Sequence, residues 1–372
     1  MIRPCLLAFV LSAAALAGAQ EYPPLEIGAQ APDFSLPGVD GKTHSLTEFA
    51  DAEVLALIFT CNHCPTAQAY EGRIKELVTA YAGKAVAIVA ISPNDPLALR
   101  LDELGYTDLG DSFEDMKIRA KDENFNFQYL YDGETQEMSK KYGPVSTPHA
   151  FVFDKERELR YRGRIDNAED PSEVETQELR TAIDSVLAGE PVAVETTKTL
   201  GCSTKWADKR PTVVESLKKW EAEPVTLEAA DSAAITELVA NKGENYRLIT
   251  TWATWCPTCV AEFPLFIELK RMYSTRPFEI VTVSADAMDK QDLALAFLKK
   301  QHASMKNVIF SEDDSYKLIE AVDPKWEGGF PYTLIVAPGG EIVYRHQGQL
   351  DPLEIKRAIV SKLGRTYHEA VR

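Results

Sequence analysis

Trp252-Ala253-Thr254-Trp255-Cys256-Pro257-Thr258-Cys259 is the stretch on which the reading of this chain turns. The run before it, from Tyr246 to Ala253, has the length and apolar character of a buried strand, and the residues after it continue as a helix to about Tyr273. A Cys-X-X-Cys pair where a strand ends and a helix begins is a specific context for thiol–disulfide exchange. Cys256 falls at the helix N-cap, where unpaired N–H groups and the helix dipole favour a thiolate. Pro257 suits the first helical position, whose N–H has no partner in any case. Cys259 lies one turn on and faces Cys256, so it can resolve a mixed disulfide made by the first sulfur. A zinc half-site or an inert local disulfide is the alternative use of such a pair.

A second pair occurs in Phe59-Thr60-Cys61-Asn62-His63-Cys64-Pro65. It follows the apolar run Glu53–Thr60. It opens a stretch, Pro65–Tyr81, that places Tyr70, Ile74, Leu77 and Tyr81 on one helical face. By the same logic Cys61 is expected to attack and Cys64 to resolve. His63 is expected to stabilise the Cys61 thiolate. Stabilising the reduced form raises the reduction potential, so this pair is expected to be the more oxidising. His149 introduces a different possibility. If Cys61, Cys64 and His149 converge, two thiolates and an imidazole can hold copper or zinc.

Outward from the motifs, the same order appears twice: strand, C-x-x-C, helix, strand, helix, strand, X-Pro, hairpin, helix. The alternation argues for α/β architecture, a central mixed sheet flanked by helices in each half. Residues 25–190 form the expected first domain and 226–372 the second. Residues 191–225 read as a connector that carries the isolated Cys202 and a helix near 212–220. Cys202 is either a third redox thiol or a buried, inert one. Trp206, Trp220 and Trp326 read as packing, and the acidic runs 221–223 and 312–314 as solvated faces.

The 372 residues carry 57 Asp and Glu against 40 Lys and Arg, a formal net charge of −17. No basic stripe is present to neutralise phosphates, which disfavours nucleic acid and anionic lipid as partners. Residues 1–19 read as a signal peptide: Arg3, the apolar run Cys5–Leu16, then Ala17-Gly18-Ala19. The run is too short for a spanning helix, so only an uncleaved leader would tether the chain. Export, to the periplasm or outside the cell, is therefore expected, and an oxidising compartment permits disulfides. Four of the six cysteines nevertheless fall in closely spaced pairs, which close almost no loop and so suit redox or metal chemistry better than a structural framework.

With these residues in view, WATWCPTC followed by Gly329-Phe330-Pro331-Tyr332-Thr333 resembles the TlpA/ResA branch of the thioredoxin superfamily. Ala31-Pro32-Asp33-Phe34, Thr147-Pro148-His149 and Gly201-Cys202-Ser203 with Lys205-Trp206 resemble the redoxin (AhpC/TSA-like) family. The resemblance implies two thioredoxin-like folds in tandem. It makes Pro331 and Pro148 cis prolines whose loops, with Thr147, Phe330 and Trp255, bind a partner chain. It implies thiol–disulfide exchange with protein dithiols or disulfides, a membrane thiol reductase among them, and no cofactor beyond the redox-active disulfides. The peroxiredoxin P-x-x-x-T-x-x-C pattern is missing around Cys61, so a thiol peroxidase in the first domain, reduced by the second, is the alternative. A metal-binding assembly protein is another. Thr250 stands where thioredoxin has a buried acid, so proton transfer is expected to use another group or water, with Glu262 a candidate by its proximity in sequence.

Overall fold

The computed structural model describes residues 22–369; the expected leader, with Cys5, lies outside them. The first domain runs β1 (Ser35–Pro37), β2 (Thr43–Ser45), β3 (Val54–Phe59), α1 (Pro65–Ala80), β4 (Val86–Ser92), α2 (Phe113–Asp122), β5 (Gln128–Tyr131), α3 (Glu137–Tyr142), β6 (Ser146–Thr147), β7 (His149–Phe153), β8 (Leu159–Gly163), α4 (Glu178–Leu187) and β9 (Cys202–Ser203). Its five-stranded sheet has the order β5-β4-β3-β7-β8: β4 and β5 run parallel to β3, β7 runs antiparallel to β3, and β8 runs antiparallel to β7. All six residues of β3 are buried. The period of two explains why this strand reads as a continuous apolar run. Leu55, Leu57 and Phe59 enter one core, and Val54, Ala56 and Ile58 enter another beneath Tyr70, Ile74 and Leu77 of α1.

The second domain follows a linking helix α5 (Arg210–Glu221). It runs β10 (Glu228–Ala230), α6 (Ser232–Ala240), β11 (Tyr246–Trp252), α7 (Pro257–Met272), β12 (Phe278–Ser284), α8 (Gln291–Lys300), β13 (Lys306–Phe310), α9 (Ser315–Val322), β14 (Tyr332–Val336), β15 (Ile342–Gln347) and α10 (Pro352–Leu363). Its sheet order is β10-β13-β12-β11-β14-β15. The central strand again splits its side chains, Leu248 and Trp252 to one core and Ile249 to the other.

The last helix of the first domain begins at Glu178, after a single turn at Pro171–Glu173. The acidic run 312–314 is solvated as expected, with Asp313 and Asp314 exposed, and it leads into α9, where Asp314 accepts from Tyr316 N at 3.0 Å. One expectation needs correction: much of the expected connector belongs to the first domain. Arg162 N donates to Glu195 O at 2.9 Å, Asp95 N to Lys205 O at 2.9 Å, and β9 pairs antiparallel with β6. Trp206 and Trp326 are packed, against Tyr22 and Tyr332 respectively.

The two domains touch through the polar stretch 100–111. Arg276, just past α7, donates to Gly105 O at 2.8 Å and lies 3.7 Å from the Tyr106 ring centre. Tyr273 Oη donates to Thr107 O at 3.3 Å. Asp108 is paired with Arg357 of α10 at 3.2 Å and with Arg365 at 2.5 Å.

Candidate active site

Proline sets the helix register at both Cys-X-X-Cys motifs. It has no N–H to lose at the first helical position, and it holds the residue before it in an extended conformation. Pro65 therefore opens α1 with Cys64 as N-cap (φ −73, ψ 121), and Pro257 opens α7 with Cys256 as N-cap (φ −96, ψ 103). The cap is the first cysteine of the pair in the second domain but the second cysteine in the first domain. The expectation that Cys61 holds the helix-stabilised sulfur is thereby corrected: Cys61 precedes the helix and Cys64 caps it.

In the second domain Cys256 and Cys259 form a disulfide, and Cys259 N donates to Cys256 Sγ at 3.2 Å. Trp255 beside them is 61% exposed and meets Phe330 edge-on at 5.5 Å. The Phe330–Pro331 bond is cis. A groove of about 400 Å³ is lined by Trp255, Met288, Phe310 and Phe330, with Glu312 and Asp313 among its acidic residues. Thr250, in place of an acid, accepts from Thr333 Oγ1 at 3.0 Å. Glu262, one turn beyond Cys259 on α7, is buried. Burial pushes its carboxyl up to about 7, against a weak 3.4 Å hydrogen bond from Leu350 N.

In the first domain the thiols are enclosed. Cys61 is 2% and Cys64 0% exposed, and Cys202 is intermediate. Cys61 Sγ lies 3.0 Å from Thr147 Oγ1. As a thiol, Cys64 donates to Thr147 O at 3.3 Å, and its sulfur accepts from Cys202 N at 3.3 Å. Burial pushes both sulfurs of the pair up. For Cys64 this is outweighed by S–H donation from Cys202 and Cys61, by the charge of His63 and by the Ala67 N–H, which together hold it well below an ordinary thiol. For Cys61 the neighbouring Cys64 and the Asp111 carboxylate add to burial and drive it well above. His63 thus supports the Cys64 thiolate, not that of Cys61 as expected.

His63 is held by a residue that sequence reading missed. Asp111 is buried and accepts from Asn62 N and His63 N at 3.0 Å each, from Asn94 Nδ2 at 2.8 Å and from His63 Nδ1 at 2.6 Å. Burial opposes the charge on both partners. Their mutual attraction prevails, raising His63 and lowering Asp111, as expected of an imidazolium–carboxylate pair.

Two other expected site residues are placed differently. His149 does not join the thiols as the metal reading required. Alternation along β7 sends it to the face with Phe151, whose ring centre is 4.5 Å away. Its Nδ1 accepts from Val145 N at 3.3 Å, and burial lowers its pKa to about 3. The ligand atoms that do gather within 4.8 Å of one another belong to Cys61, His63 and Asp111. The Thr147–Pro148 bond is cis. However, the edge of Thr147 expected to bind a partner is taken by the chain itself, because Thr147 pairs with Cys202 in the β6–β9 ladder.

Comparison with known proteins matches the two halves separately. Residues 27–162 match the AhpC/TSA family and residues 220–359 match Redoxin. The chain is a tandem thioredoxin-like protein. It is 31% identical over 111 residues to thiol-disulfide oxidoreductase ResA of Oceanobacillus iheyensis, covering 28% of this chain and 50% of that one. It is 32% identical over 104 residues to thiol:disulfide interchange protein DsbE of Pasteurella multocida, covering 28% and 51%. The chain thus spans about half the length of the curated relatives it matches. Among solved structures, a hypothetical protein of Sinorhizobium meliloti 1021 is 32% identical, over 50% of this chain and 97% of that one, with a TM-score of 0.44. Within this tandem thioredoxin-like protein, the first domain's site draws on a piece outside the motif: the 100–111 stretch, which supplies Asp111 and docks the second domain. No spacing signal marks that aspartate, which lies 47 residues beyond Cys64 in a polar segment.

Proposed function

We propose that this protein is an extracytoplasmic thiol–disulfide oxidoreductase with two dithiol sites, acting on protein dithiols and disulfides. The observation that carries the reading is the Cys256–Cys259 disulfide at the N-terminus of α7, beside exposed Trp255 and the cis Phe330–Pro331 bond. Cys256 is the cap and the more exposed residue, at 7% against 2% for Cys259, so it attacks and Cys259 resolves. In the first domain the helix-capping thiolate is Cys64. The names of the curated relatives support dithiol exchange. The leader pattern at residues 1–19 supports export, and no helix among the described residues is long and apolar enough to cross a membrane. The test is reduction of insulin disulfides by dithiothreitol. The full chain is expected to accelerate it and the Cys256→Ser variant to lose most of that acceleration; an unaltered rate in the variant contradicts the reading.

A second reading, that the first domain holds a soft metal ion, is favoured by one observation. His63 Nε2 is buried without a hydrogen-bond partner, and the ligand atoms of Cys61, His63 and Asp111 cluster within 4.8 Å. Metal analysis of reduced protein decides it: a stoichiometric ion lost in Cys61→Ser supports this reading, and a metal-free reduced chain dismisses it.

A further inference from the structure

The first domain has a burial problem that the dithiol reading leaves open. Its two Cys-X-X-Cys residues are 2% and 0% exposed, so neither meets a partner protein directly. The cis-proline edge a partner would use is already filled by Cys202–Ser203, paired antiparallel with Ser146–Thr147. That pairing sets Cys202 directly against the buried pair. Its N–H contacts Cys64 Sγ at 3.3 Å, its thiol donates to the same sulfur, and it packs in one cluster with Cys61 and Cys64. Cys202 is also the one of the three that reaches solvent.

We propose that Cys202 is the exchange thiol of the first domain, linking the buried Cys61–Cys64 pair to outside disulfides through a Cys64–Cys202 disulfide. The proposal rests on the dithiol reading of this domain. In the reducing direction, Cys202 attacks one sulfur of a partner disulfide and forms a mixed disulfide, its proton passing to the partner thiolate that leaves. The Cys64 thiolate attacks the Cys202 sulfur. The Cys64–Cys202 bond forms, the Cys202–partner bond breaks, and the second partner thiolate departs. Cys61 then attacks Cys64, forming Cys61–Cys64 and returning Cys202 as a thiol that takes the Cys61 proton. Two electrons pass from Cys61 and Cys64 to the partner, and the negative charge that began on Cys64 ends on the partner. The β6–β9 ladder holds the two sulfurs in place, so the middle step is intramolecular.

The test uses the full reduced chain carrying Cys256→Ser and Cys259→Ser, so that only the first domain reacts, with oxidised glutathione as the disulfide. Peptide mapping follows where the bonds form. Added Cys64→Ser is expected to collect glutathione on Cys202. Added Cys61→Ser is expected to accumulate the Cys64–Cys202 disulfide. Added Cys202→Ser or Cys202→Ala is expected to form Cys61–Cys64 at least about tenfold more slowly, with an unchanged thermal midpoint as the folding check. Formation of Cys61–Cys64 at the parent rate without Cys202, or glutathione on Cys61 with Cys202 free in the Cys64→Ser chain, overturns the proposal and leaves the dithiol reading standing. A parent chain that never forms Cys61–Cys64 under excess glutathione disulfide overturns both.

Discussion

Asp111 carries four hydrogen bonds and one neighbour's charge, and the chemistry of the first site depends on it. Its lowered carboxyl contributes stability that is present above its ordinary value of 3.8 and is lost as pH falls through the lower folded value. The raised His63 contributes stability that is full below 6.5 and is lost as pH rises through its folded value. The pair is therefore worth most between those limits. Asp111→Asn is expected to cost about 1–3 kcal/mol in denaturant unfolding of the reduced chain, because it weakens four buried contacts. It also removes the reason for His63 to stay charged, so the Cys64 thiolate pKa is expected to rise. Glu262 behaves in the opposite sense. A buried carboxyl raised to about 7 favours the protonated form, so its contribution to stability is full below 4.5 and fades as pH rises to about 7. Glu262→Gln is expected to abolish that pH dependence of the melting midpoint. It is also expected to slow reduction of Cys256–Cys259 by about tenfold, since Gln carries no transferable proton. An unchanged rate would show that protons reach Cys259 another way.

At the scale of elements, the strands around both motifs were legible because their apolar runs have the length and termination of buried strands. Pro257 and Pro65 carried the helix starts. The signal that Cys64 is the cap was also present, in the proline that follows it. The common C-x-x-C spacing suggests the first cysteine, but the local constraint of proline on the residue before it prevails. Asp111 and the β6–β9 ladder were not legible, because each joins segments tens of residues apart and neither has a periodic pattern. One glycine maintains that ladder. Gly201 has φ +124, and a Cβ there would lie 2.0 Å from Thr147 O. Gly201→Ala is expected to push Cys202 off β6 and uncover Cys64. The measurement is N-ethylmaleimide labelling of Cys64 in the reduced chain, expected to quicken several-fold over the parent. Labelling at the parent rate would mean that the ladder does not shield the sulfur.

For the whole molecule, α7 is what separates the two sites. Cys256 caps one end of this 16-residue helix, which at 1.5 Å per residue is about 24 Å long. The first domain meets the other end, through Gly105, Tyr106 and Thr107. The same contact brings the segment after α10 over the first site. Tyr367 N donates to Glu169 Oε1 at 3.1 Å, Thr66 Oγ1 donates to Glu169 Oε2 at 2.9 Å, and the Tyr367 ring meets that of Tyr106 at 5.0 Å. The second domain therefore covers the first site with the end that lacks its own thiols. Electrons are expected to pass between the sites only through a second molecule. After reduction of Cys256–Cys259 alone, the rate at which the first domain becomes reduced should rise in proportion to protein concentration; a rate independent of concentration would show direct exchange within one chain.

The central claim is that the reactive thiolate of each domain is the cysteine before the helix-opening proline, Cys256 in one and Cys64 in the other. The most direct test is thiolate absorbance near 240 nm, titrated in reduced full chains with Cys256→Ser and Cys259→Ser and with either Cys61→Ser or Cys64→Ser. A low-pH ionisation, well below that of an ordinary thiol, is expected to survive in Cys61→Ser and to vanish in Cys64→Ser. Its loss in Cys61→Ser with survival in Cys64→Ser would contradict the account.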